Sequence, residues 1–150
     1  MKKSHVAMMA AAAGCFLAAP ALAQDSPPTI HVVTVSTFRV PLGPDRGKVL
    51  EYMRSWMVPP AKVNPKVLSY RVVQHWYGSN AGDMAIIVEY ADLGDLNADC
   101  APCTAWFEEH FPKEGTPERE AVDELANLFF KYYGSHQDQI YSADMSLAKP

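Results

Sequence analysis

Residues 68–92 read LSYRVVQHWYGSNAGDMAIIVEYAD, and the fold turns on this stretch. Two alternating runs flank Gly78-Ser79-Asn80-Ala81-Gly82, a polar loop with glycine at each end. Alternation on both sides of a short glycine-bearing loop is the mark of a β-hairpin. A five-residue loop sets Trp76 against Met84, Val72 against Val88 and Tyr70 against Tyr90. The opposite face then pairs His75 with Ala85, Val73 with Ile87 and Arg71 with Glu89. The first face is apolar or aromatic except for Gln74, which suits packing under helices. The second mixes apolar residues with an opposite-charge pair and a histidine. A slip of one residue would exchange the faces.

Upstream of the hairpin, Ile30–Val40 is rich in β-branched residues and predicts the first strand. Residues 41–45 (PLGPD) interrupt it. Over Arg46–Val58, Val49, Leu50, Tyr52, Met53, Trp56 and Met57 recur at helical spacing. Asp45 is the expected N-cap, and Pro59-Pro60 is the expected end of this helix. Downstream, Cys100–Phe111 predicts a short helix capped by Asp99. Pro117–Tyr133 predicts a longer one, capped by Thr116, with Pro117 at its first position and Gly134 past its end. Its stripe of Ala121, Val122, Leu125, Leu128, Phe129, Tyr132 and Tyr133 faces a core. Gln139–Leu147 alternates as a last strand.

The first 23 residues have another character. Lys2 and Lys3 precede an apolar run, Val6–Leu17, and Ala21-Leu22-Ala23 forms an A-x-A site before Gln24. This predicts a cleaved secretory signal peptide, and hence a periplasmic or secreted protein with no membrane attachment after cleavage. A lipoprotein signal ending at Cys15 is disfavoured, because it would leave an apolar stub beyond the lipidated cysteine. Removal of residues 1–23 leaves 127 residues, the size of one domain. The formal charge moves from -4 to -6, with 11 basic against 17 acidic residues. An acidic chain with no basic cluster argues against nucleic acid as a partner.

The order β-α-β-β-α-β, with its second helical region split, predicts an α+β, ferredoxin-like domain over residues 24–150. Its antiparallel sheet of four strands carries helices on one face. Two helical layers cannot cover both faces, and Val33, Val35, Val73, Tyr77 and Ile87 make the second face too apolar for open water. A face-to-face homodimer covers it. In element order and spacing the chain resembles the dimeric α/β-barrel superfamily, in which two such sheets enclose a small cavity. That resemblance implies a protomer of this fold. It leaves the chemistry open, because the superfamily includes cofactor-independent monooxygenases, polyketide cyclases, haem-binding and haem-degrading proteins and stress-responsive proteins.

Arg71, His75, Tyr77 and Glu89 share the second hairpin face, and His31 is in phase with Val33, Val35, Thr37 and Arg39 on the first strand. A histidine beside a tyrosine in a partly apolar cavity can shuttle a proton on a phenolic or enolisable substrate. His75 and Tyr77 are therefore the candidate catalytic pair, and Arg71, Glu89 and His31 the candidate binding residues. The competing structural reading makes Arg71 and Glu89 a cross-strand ion pair and His75 a rim or interface residue.

Cys100-Ala101-Pro102-Cys103 is the sharpest short motif. A C-x-P-C at a helix start resembles the thioredoxin site, but no facing proline loop and no further strand set follow it. A local disulfide formed in an oxidising compartment is the expected state, of small entropic value because its loop is short. His110 with the two cysteines could supply three metal ligands, two of which that disulfide removes, so no metal site is expected. No cofactor is expected either. A haem would need His75 as axial ligand, and Thr104 after Cys103 rules out a C-x-x-C-H attachment.

The resulting expectation is an exported homodimer that binds a small apolar or aromatic molecule between sheet and helices. Its chemistry would be acid-base catalysis of the cofactor-independent oxygenase or cyclase kind. The alternatives are a non-catalytic exported binding or stress-related module and a thiol-disulfide or metal-handling protein using Cys100 and Cys103.

Overall fold

The computed structural model describes residues 29–148. The predicted leader, its cleavage site and Cys15 lie outside the described residues. Four strands form one antiparallel sheet: β1 (Ile30–Arg39), β2 (Val67–Gln74), β3 (Asp83–Tyr90) and β4 (Gln137–Asp144), in the order β2-β3-β1-β4. This is the ferredoxin-like arrangement. The β-branched residues of β1 stand at its centre, paired on both edges.

The helices all lie on one side. They are α1 (Pro44–Tyr52), α2 (Val58–Val63), α3 (Ala101–His110) and α4 (Pro117–Tyr133). A π-helical turn, Met53–Met57, joins α1 to α2. The core lies between sheet and helices, where Phe38, Met84 and Ile86 from the strands meet Val49, Met53 and Phe129 from the helices. Phe129 packs edge-on to Phe38 at 6.0 Å and stacks on Tyr52 and Tyr133. Burying so many apolar and aromatic side chains, each contributing about 1.5–3 kcal/mol, outweighs any capping term.

Local expectations fail where capping and proline chemistry decide. Pro59-Pro60 does not end the helix: both rings sit in the first turn of α2. The wider π turn before them accommodates two residues that lack N–H donors and would clash with carbonyls four positions back. The N-cap of α1 is Gly43, and Asp45 lies inside the first turn, where its carboxylate accepts from the Tyr132 hydroxyl at 2.7 Å. The N-cap of α3 is Cys100, not Asp99. α4 occupies the span its sequence pattern predicts, and Thr116 accepts from the Arg119 N–H.

The hairpin is shifted two residues from the expected pairing. Tyr70 stands opposite Val88, Arg71 opposite Ile87, Val73 opposite Ala85 and Gln74 opposite Met84. On its β1 side the end of the loop is tightly placed. The Gly82 carbonyl accepts from the Val40 N–H at 2.8 Å, and a side chain at Gly82 would meet Arg39 at 3.2 Å. The connection takes in His75, Trp76 and Tyr77, with Gly78 turning at φ 99°. A two-residue shift keeps every side chain on its face, because the strand period is two.

Candidate functional site

The uncovered face of the sheet is built from alternate residues of all four strands. Its rows run Val73, Ala85, Thr37, Gln137; then Arg71, Ile87, Val35, Gln139; then Ser69, Glu89, Val33, Tyr141. Glu89 is the polar centre. Its carboxylate accepts from His31 Nδ1 at 2.7 Å on one side and lies 3.7 Å from Arg71 Nη2 on the other. Arg71 also donates from Nε to Ser69 at 3.1 Å. The Glu89 and His31 side chains are only 15% and 19% exposed on a face that no helix covers. The predicted binding residues Arg71, Glu89 and His31 are thus brought together, through diagonal neighbours rather than direct opposites.

His75 and Tyr77 are not brought to them. His75 lies beyond the end of β2, six residues from Ser69, the partner of Glu89, and so roughly 20 Å away along the sheet. Its N–H donates to the Asp83 carbonyl at 2.9 Å. With Val73, Thr37, Ala85 and Gln137 it lines an open groove of about 630 Å³ at the hairpin end of the sheet. Tyr77 is 87% exposed at the tip, beside Trp76. An acid-base pair needs both groups within reach of one substrate atom, and among the described residues the pockets that His75 lines do not include Tyr77.

A second site was not singled out by pattern. Tyr70 stands on the helix-facing side of β2 and lines a cavity of about 200 Å³ with Leu50, Met53, Arg54, Val58, Val72 and Gln74. Met53 and Arg54 belong to the π turn, whose extra residue widens the backbone above β2. The Tyr70 hydroxyl is buried, and no protein group among the described residues hydrogen-bonds to it. Burial pushes the phenol up to about 12, with Tyr133 and Tyr90 adding in the same direction. At neutral pH this hydroxyl therefore keeps its proton. Arg54 supplies a cation at the rim and has no carboxylate partner among the described residues. Gln74 is held in place because its Oε1 accepts from Arg46 Nε at 3.0 Å, while Arg46 also ties Val40 to Ala81. In sequence, Tyr70 reads as one more aromatic on an apolar stripe. Its only signal is a hydroxyl on the face that packs inward.

Cys100 and Cys103 form a disulfide. His110 does not join them: its ring stacks on Trp106 at 4.6 Å and its Nδ1 bonds the Trp106 carbonyl. Among the described residues no three metal-ligating side chains come together, and no helix is long and apolar enough to cross a membrane.

No family model and no curated protein sequence matches the chain. Among solved structures it is similar to SnoaB, a cofactor-independent oxygenase from Streptomyces nogalater, at 10% identity. That match covers 79% of this chain and 98% of the other, with a TM-score of 0.48. It is also similar to a monooxygenase from Streptomyces coelicolor in complex with nanaomycin D, at 14% identity, 81% and 95% coverage and a TM-score of 0.48. A dimeric protein of ferredoxin-like fold from Bacteroides fragilis aligns at 14% identity over 75% of this chain and 96% of the other, with a TM-score of 0.45.

Proposed function

We propose that this chain is an exported homodimer that binds a small aromatic or enolisable compound between its sheet and its helices and polarises the compound's oxygen. The observation that carries the reading is the buried Tyr70 hydroxyl, without a hydrogen-bond partner among the described residues, on a side chain that lines a partly open cavity together with Arg54 and Gln74. A buried donor costs about 1–3 kcal/mol when unmatched, and an oxygen-bearing ligand recovers that cost. The ligand's acceptor is a carbonyl, enolate or phenolate oxygen, because Arg54 can only donate and the Tyr70 hydroxyl carries a proton to donate at neutral pH. Its size follows from the volume. An apolar cavity of about 150 Å³ holds benzene, so the Tyr70 cavity suits one substituted ring rather than a fused polycycle.

Two donors on a ligand oxygen stabilise the enolate that a cofactor-independent oxygenase or cyclase must form. The uncovered sheet faces of two copies pack together through Val33, Val35, Val73 and Ile87, with the His31–Glu89–Arg71 cluster between them. One observation favours the non-catalytic reading: no carboxylate or imidazole lines the Tyr70 cavity. Calorimetric titration with a panel of monocyclic phenols and cyclic 1,3-diketones tests the binding. The expected result is saturable binding that weakens about tenfold or more in Tyr70→Phe, the loss of one buried hydrogen bond. Equal affinity in both proteins sinks the assignment. Oxygen uptake or product formation with a bound compound separates enzyme from binding module.

A further inference from the structure

The ligand reading leaves the Cys100–Cys103 pair unused, and the surroundings of its two sulfurs differ in kind. Cys100 is the N-cap of α3, and its Sγ accepts from the Cys103 N–H at 3.1 Å. Cys103 Sγ lies 3.4 Å from the Pro60 carbonyl oxygen, at the start of α2. In the disulfide neither sulfur carries a proton, so the second contact is not a hydrogen bond. After reduction both sulfurs are served where they stand. A Cys100 thiolate keeps a backbone N–H donor at a helix N-terminus, and a Cys103 thiol finds an acceptor in the Pro60 carbonyl. A disulfide that served only as a staple would need no such match for its reduced form. Ala101 and Pro102 between the cysteines are exposed, and α3 packs against α2.

We infer that Cys100 and Cys103 form a reversible dithiol-disulfide site that exchanges with an external dithiol, with Cys100 as the exchanging sulfur and Cys103 as the resolving one. A thiolate of the external dithiol attacks Cys100 Sγ. The Cys100–Cys103 bond breaks, and Cys103 leaves, takes up a proton and donates to the Pro60 carbonyl. The mixed disulfide on Cys100 is then attacked by the second thiolate of the external dithiol, which releases Cys100 as a thiolate capping α3. The external dithiol is oxidised to its disulfide, and two electrons pass to the Cys100–Cys103 pair. The same steps run backwards when the reduced pair meets an external disulfide. Exchange runs through Cys100 because its thiolate, stabilised by a helix N-terminus, is the leaving group of the second step and the populated nucleophile of the reverse reaction, so by microscopic reversibility the external thiolate enters at Cys100.

The test uses the chain with Cys15→Ser, so that Cys100 and Cys103 are its only cysteines. The protein is equilibrated in graded mixtures of reduced and oxidised glutathione, then trapped by alkylation and weighed. A parallel arm replaces glutathione with reduced ribonuclease A, to separate a small-molecule thiol from a protein dithiol as the reacting source. The expected result is reversible interconversion in at least one arm with the far-ultraviolet circular dichroism unchanged. In the reduced protein, Cys100 should alkylate about tenfold or more faster than Cys103. Cys103→Ser should accumulate a glutathione adduct on Cys100 that Cys100→Ser does not match on Cys103. A disulfide that resists both reagents, opens only with loss of structure, or exchanges preferentially at Cys103 overturns the proposal.

Discussion

Replacing Tyr70 with phenylalanine isolates one hydroxyl in a core that otherwise stays the same shape. A buried tyrosine normally loses stability on this change, because its hydrogen bond is worth about 1 kcal/mol. Here no acceptor is found among the described residues. The ligand-free Tyr70→Phe variant should therefore gain about 1 kcal/mol, a rise of about 3 °C in Tm for a domain of this size. The same residue sets a pH signature. Its folded phenol sits at about 12 against 10.0 for the free group, so the folded state holds this proton more tightly. Its contribution is fully present below pH about 10 and is lost as pH rises through about 12, since the unfolded chain releases the proton first. The loss reaches about 1.4 kcal/mol near pH 11, and it is absent from the phenylalanine variant. The advantage of the variant should thus widen with alkaline pH. Urea unfolding of both proteins at neutral pH and near pH 11 measures it. A variant less stable by about 1 kcal/mol or more, with an unchanged gap at high pH, would mean that the protein satisfies this hydroxyl. The site would then lose its basis.

Two further outcomes follow from the uncovered sheet face. Ile87→Asp places a charge among Val35, Arg71 and Gln139 and should weaken the dimer about a hundredfold or more while leaving the monomer folded. Sedimentation velocity alongside circular dichroism decides, and a wild-type monomer at micromolar concentration or an unaffected dimer in the variant refutes the pairing. Glu89→Ala removes the shared acceptor of His31 and Arg71 and should cost about 1–3 kcal/mol in urea unfolding. If His31 acts through that carboxylate, His31→Ala should add little in the Glu89→Ala background; full additivity of the two losses would separate them.

The faces of the hairpin were legible because side-chain period alone assigns them, and a two-residue error leaves them intact. The clustering of Arg71, Glu89 and His31 on one face was legible for the same reason, although the three meet diagonally. The register was not, because the loop takes in His75, Trp76 and Tyr77 while Gly82 lies against Arg39 and Val40 of β1. That contact is remote from the hairpin's own pattern. Placing His75 and Tyr77 together in one cavity requires β2 to continue past Gln74. The strand ends there, and the residues after it belong to the loop.

Composition and periodicity determined the element order, the span of α4 and which residues face the helices, since these follow from local hydrophobic pattern and capping. An apolar stripe carries the same pattern whether its aromatic is phenylalanine or tyrosine, so the stripe could not reveal a site at Tyr70. Only the tertiary structure placed a π turn over β2, left the Tyr70 hydroxyl without an acceptor, and set the Pro60 carbonyl beside Cys103. Those are meetings between segments far apart in the chain. They are decided by how helices pack on a sheet, which no local pattern encodes.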